Sequence, residues 1–188
     1  MRDDPLHADE AVGGKRRPPW RRTAAQGKEG GEVLRSITLR QPFAGAMALG
    51  LKRNETRGRR CKWRGDLCIH SGMRAIPWED YPTPVKELGY PSPIEFWPGG
   101  AILCVVDLYD CVPTEYIERP SDFPLLLHRG LVELSPTERA LGDYSRGRFA
   151  LLTRNLRVLK RPVPCRGQQA VPWTVPPEVE AEVRRQLP

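Results

Sequence analysis

Ser36-Ile37-Thr38-Leu39-Arg40-Gln41-Pro42-Phe43-Ala44-Gly45-Ala46-Met47-Ala48-Leu49-Gly50 changes its hydrophobic period halfway along. Ser36 to Arg40 alternates polar and apolar, the pattern of a half-buried strand. Gln41-Pro42 ends it, and proline suits the first turn of a helix. Phe43, Ala46, Met47 and Leu49 then fall on one helical face, and Gly50 is the expected C-terminal cap. The stretch therefore predicts a strand and a short helix, with a basic strand following from about Arg53.

Working outward, Gly65 to Ser71 reads as a strand with Leu67 and Ile69 on one face and Cys68 and His70 on the other. Ala101 to Val112 is the clearest strand, with Ile102, Cys104, Val106 and Leu108 on one face, and it is expected to be central. Asp107 interrupts it and needs a partner; Arg40 or Arg57 would suit. Ile76 to Pro98 is studded with prolines and reads as loop with one short helix around Pro84 to Leu88. Ser135-Pro136-Thr137-Glu138 has the form of a capping box. Arg148 to Thr153 and Arg157 to Val163 read as a hairpin turning at Arg154-Asn155, Ala170 to Val175 as a closing strand, and Pro177 to Leu187 as an exposed terminal helix. Several strands edged by short helices indicate an α+β, mainly β chain, a small barrel rather than a doubly wound sheet.

The 188 residues suffice for one domain with a real core. Residues 1–33 are poor in large apolar side chains and hold the run Lys15-Arg16-Arg17-Pro18-Pro19-Trp20-Arg21-Arg22, so they are expected to form a disordered basic arm. Residues 34–176 make the domain and 177–188 a C-terminal helix and tail. No apolar stretch resembles a secretory signal or a membrane span, so a cytoplasmic protein without membrane attachment is expected. The five cysteines, Cys61, Cys68, Cys104, Cys111 and Cys165, form no C-x-x-C pair and read as small hydrophobes in a reducing compartment, with no metal site and no cofactor expected.

The net charge of +7 is concentrated. Lys52, Arg53, Arg57, Arg59, Arg60, Lys62 and Arg64 stand against the single acid Glu55, with Trp63 among them. Arginine forks grip phosphate and stack on bases, and an indole offers a stacking face, so RNA or a nucleotide is the expected partner.

These residues resemble a known family. Ile37 to Ala44, containing Arg40-Gln41-Pro42-Phe43-Ala44, followed by Gly50-Leu51-Lys52-Arg53-Asn54-Glu55-Thr56-Arg57, is similar to the opening of ASCH domains, in which an R-Q-P-aromatic-A junction precedes G-x-K-x-x-E-x-R. Trp63-Arg64-Gly65 before Leu67 to Ser71, Val105 to Leu108, and Arg161-Pro162-Val163-Pro164-Cys165-Arg166-Gly167 leading to Val171 to Val175 follow in the family's order. The resemblance spans Ser36 to Val175. It implies a PUA-like β-pseudobarrel with short flanking helices, a cleft lined by the G-x-K-x-x-E-x-R segment, and binding of RNA or a modified nucleotide. A few members are enzymes. One branch, bacterial amidohydrolases that deacetylate N4-acetylcytidine, uses a lysine, a threonine three residues later and a distant glutamate; Lys52 matches the lysine, but Glu55 stands where the threonine would be, with Thr56 beside it.

The candidate site follows. Lys52 and Glu55 form a prospective acid/base pair, or an ion pair that closes a turn. A nucleic-acid surface would comprise Arg40, Gln41, Arg57, Arg59, Arg60, Trp63, Arg64, His70 and Ser71. Gln41 either reads a base edge or caps the helix, and His70 either serves the site or is a satisfied structural residue. The leading expectation is a binding module whose basic rim holds phosphates and whose cleft accepts a base. The alternative is an enzyme of the amidohydrolase or nuclease type acting on RNA or a modified nucleoside.

Overall fold

A computed structural model describes residues 33–87, 98–118 and 134–188 of the chain. The basic arm expected over residues 1–33 lies outside the described residues, Val33 excepted, as do the ends of two proline-rich or apolar connections at residues 88–97 and 119–133. In chain order the elements are β1 (Arg35–Gln41), α1 (Phe43–Ala48), β2 (Asn54–Arg57), β3 (Gly65–Ala75), a 3-10 turn (Trp78–Asp80), α2 (Thr83–Lys86), β4 (Ala101–Pro113), α3 (Glu115–Glu118), α4 (Pro136–Ala140), β5 (Phe149–Pro164), β6 (Trp173–Thr174) and α5 (Pro177–Gln186). The chain is mainly β with short helices, as its sequence implies.

The six strands of the described residues join one mixed sheet in the order β2-β5-β4-β3-β1-β6, antiparallel except for the parallel pair β1 and β3. Laid flat, β1 and β2 would stand four strand spacings apart, roughly 19 Å. Yet the Arg57 guanidinium on β2 donates to the Thr38 carbonyl on β1 at 2.9 Å. The sheet is therefore curled until its first and fifth strands nearly meet, an arrangement consistent with a PUA-like pseudobarrel. Helix α1 fills the concave side and touches β1, β3, β4 and β5.

One core cluster joins Ile37 and Leu39 of β1, Ala44, Met47 and Ala48 of α1, Leu67 and Ile69 of β3, and Leu103, Cys104, Val106 and Leu108 of β4. A second, on the opposite face, joins Leu34, Cys68, Ile102, Val105, Leu159, Trp173 and Val183. β4 is central as expected, but its faces do not simply alternate. The pairing with β3 runs from Ile69↔Cys104 to His70↔Ile102, so Leu103 is an extra residue and Ile102 faces away from Cys104, Val106 and Leu108.

Four further expectations are corrected. β5 is one continuous strand rather than a hairpin: Asn155 adopts φ 51 as a bulge residue, and β4 is long enough to pair with β5 on both sides of it. Asp107 takes neither Arg40 nor Arg57 but its cross-strand partner Arg154, at 2.7 Å. Leu49 is exposed, because α1 ends at Ala48 and Gly50, at φ 74, turns the chain away just after it. α5 is not merely exposed: Val183 is fully buried in the second cluster, with Val179 and Leu187 packed beside it. Among the described residues no helix is long and apolar enough to cross a membrane.

Candidate nucleotide cleft

The seam between β1 and β2 is an open cleft of about 440 Å³. Thr38, Leu39 and Arg40 line it from β1, Phe43 from α1, Glu55 and Arg57 from β2, Ile76 from beyond β3, and Gly167, Gln168 and Gln169 from the segment after β5. β2 alternates as a strand must: Glu55 and Arg57 face the cleft, while Asn54 and Thr56 are buried on the other side. Thr56 Oγ1 there accepts the Asp143 N–H at 3.2 Å.

Lys52 lies in the turn before β2, where Leu51 N–H and Lys52 N–H both bond the Ala46 carbonyl at the end of α1. Its side chain, 1% exposed, donates to the Leu141 carbonyl at 2.8 Å and brings Nζ to 3.4 Å from Glu55 Oε2. Arg57 Nε stands 3.0 Å from Glu55 Oε1, but its N–H is not aimed at that oxygen. The Glu55 carboxylate, 12% exposed, is thus held between two cations. The Lys52–Glu55 pair exists, with Lys52 behind the wall and Glu55 in it.

The far side of the cleft rests on Thr38. Its hydroxyl accepts the Trp173 indole N–H at 3.1 Å and donates to the Gln168 carbonyl at 2.9 Å. Below, buried His70 donates Nε2–H to the Cys165 carbonyl at 3.1 Å and meets Trp173 edge-on at 5.6 Å. A carbonyl can only accept, so this is the Nε2–H tautomer, and Nδ1 has no partner among the described residues. Burial lowers the His70 pKa, opposed by the Cys165 bond. Gly167 is required here: a Cβ would lie 2.3 Å from His70 Cε1 and 2.9 Å from Thr38 Oγ1.

The remaining sequence candidates divide by position. Gln41 is buried and caps α1, its Oε1 accepting the Gly45 N–H at 3.0 Å. Ser71 is buried beside His70. Trp63 packs against the first core cluster, donates Nε1–H to the Asp66 carbonyl, and carries Arg35 over its ring at 5.5 Å. Arg64 bonds the Cys61 and Trp63 carbonyls and pairs with Asp110 at 3.1 Å. Arg59, Arg60 and Lys62 are exposed beyond the end of β2. Of the candidates, Arg40, Glu55 and Arg57 are the ones that share the cleft wall. Of the lining residues outside the candidate set, Phe43 follows Arg40 closely in the chain, whereas Gly167, Gln168 and Gln169 come from a segment whose arrival depends on the curl of the sheet. Cys61, Cys68, Cys104 and Cys111 are buried thiols, and burial pushes that of half-buried Cys165 up to about 11. Among the described residues no three His, Cys, Asp or Glu side chains gather as a metal-ligand set.

No protein-family model matches the chain, and no curated protein matches it. Among solved structures it is similar to crystal structures of ASCH from Zymomonas mobilis. For the unsubstituted protein the TM-score is 0.45 at 14% identity, covering 82% of this chain and 96% of the other. One point mutant gives 0.46 at 15% identity, covering 84% and 100% of the two chains. A second gives 0.44 at 18%, covering 82% and 96%.

Proposed function

We propose that this chain is an RNA- or nucleotide-binding module in which the β1–β2 cleft accepts a base and the exposed cations beyond β2 hold the backbone. The observation that carries the reading is the composition of the cleft wall. Phe43 and Ile76 offer half-buried apolar surface, the Arg57 guanidinium and the Glu55 carboxylate offer hydrogen-bonding groups, and Arg40 is exposed at the end of β1. Bases are recognised by this combination of stacking and edge contacts, and Arg59, Arg60 and Lys62 add the sequence-independent attraction for phosphate.

Binding is favoured over acid/base chemistry by the position of Lys52. Its ammonium is committed to the Leu141 carbonyl and to Glu55, and its side chain is not part of the cleft wall. Thr56, the hydroxyl nearest in sequence to the position a deacetylating relative would use, faces away from the cleft.

The test is fluorescence anisotropy with a labelled single-stranded RNA across a salt series. With about three phosphates neutralised, affinity falls roughly tenfold or more between about 50 and 200 mM salt, since each contact contributes about −0.7 to the log–log slope. An Arg57→Ala, Arg60→Ala variant binds more weakly with a slope shallower by about 1 or more. RNA binding that is absent, or indifferent to salt, overturns the proposal.

A further inference from the structure

The Glu55 carboxylate is flanked by charge but poorly hydrogen-bonded. Lys52 gives its well-formed bond to the Leu141 carbonyl and only approaches Oε2 at 3.4 Å, while the Arg57 Nε–H points away from Oε1. Among the described residues no aligned N–H or O–H donor fills the carboxylate, which has about four acceptor sites. The carboxylate lies on the wall of an open cleft, so these sites are left to donors on whatever enters it, water included. Glu138 on α4 shows the contrast, taking three hydrogen bonds from the Arg53 and Asn54 N–H groups and the Tyr144 hydroxyl.

We infer that the Glu55–Arg57 pair reads the Watson–Crick edge of guanine. The inference rests on the cleft being a base site. Arg57 uses Nη2 on the Thr38 carbonyl, and its Nη1 has no partner among the described residues. Side by side, the two groups present one donor and two acceptors. Guanine presents the complement, the O6 acceptor followed by the N1–H and N2–H donors. Cytosine places an acceptor at its middle position and adenine does the same, each opposite a carboxylate oxygen. Uracil offers N3–H in the middle but a carbonyl on either side, one of which meets the carboxylate. Hypoxanthine keeps O6 and N1–H and lacks only the 2-amino group, so it isolates one bond.

Isothermal titration of the full chain with GMP, IMP and UMP, which carry the same phosphate, decides the matter. GMP binds about tenfold tighter than IMP, and UMP is weaker again, as expected for loss of one and then more edge contacts. Glu55→Gln replaces one acceptor by a donor and brings the GMP-to-IMP ratio toward unity. Should that variant fail to fold, the ratio in the unsubstituted chain still decides. Equal affinities for the three nucleotides, with salt-sensitive RNA binding intact, overturn the guanine assignment and leave the binding module standing; absence of binding to nucleotides and RNA alike overturns both.

Discussion

The Glu138 carboxylate accepts the Arg53 N–H at 2.6 Å, the Asn54 N–H at 2.9 Å and the Tyr144 hydroxyl at 2.9 Å. Its own N–H meanwhile bonds the Ser135 hydroxyl at 3.1 Å, the local half of a capping box. The second half, a return bond to the Ser135 N–H, is replaced by a tie to the turn that carries Lys52 into β2. Burial, with the nearby Glu138 carboxylate adding to it, pushes the Tyr144 phenol well above its usual range. Glu138→Ala would strand two backbone donors and a phenol in a buried place, so it costs about 3 kcal/mol, while Glu138→Gln, which keeps an acceptor, costs less. Urea unfolding checks this, and equal midpoints for the alanine variant and the unsubstituted chain would sink the idea. The motif at Ser135 to Glu138 is legible in the sequence because its geometry is local. Its destination at Arg53 is not, because the partner lies 85 residues away and is backbone, without side-chain identity to read.

Among elements, the strands were legible wherever one pleat parity persists. Ser36 to Arg40 and Gly65 to Ser71 lie in β1 and β3, and the facing of Leu67 and Ile69 against Cys68 and His70 holds. Reading fails at bulges, since the extra residue at Leu103 and the turn-like Arg154-Asn155 depend on what the partner strand does. The burial of α5 is hard to read for another reason. Its apolar residues Val179, Val183 and Leu187 recur every four positions, a narrow stripe on an otherwise charged helix. The stripe covers the second cluster, and Glu180 adds a tie by accepting the Leu34 N–H at 3.1 Å. Val183→Ala removes about two buried methylene equivalents and costs about 2 kcal/mol. Arg185→Ala breaks only an exposed pair with Glu182 and costs under about 0.5 kcal/mol. Denaturant midpoints of the two variants should separate accordingly, and a neutral Val183→Ala would mean that α5 is not held by its stripe.

At the scale of the whole molecule, the cleft exists because the sheet curls until β1 and β2 meet, and the segment after β5 closes over the seam. The residue types of the wall were legible, Arg40, Glu55 and Arg57 above all, because they cluster in sequence. The third side, Gly167 to Gln169, was not, because it arrives from more than a hundred residues away. That closure rests on neutral His70. Its pKa is lowered by desolvation from 6.5, against a weaker raising effect of the Cys165 carbonyl, so the unfolded chain binds the proton more readily than the folded one. The stability this histidine contributes is therefore complete above about pH 6.5 and declines as the pH falls through 6.5 toward its folded value. Glu115 and Asp143 titrate in a lower window, since hydrogen bonds pull both below their ordinary 4.5 and 3.8, and their contribution is lost only in more acid solution. Urea midpoints measured between about pH 7 and 5 should thus fall with acidification, and His70→Gln, which cannot take up a proton, should flatten that slope whatever its effect on absolute stability. A slope unchanged in His70→Gln would place the pH dependence elsewhere than at His70.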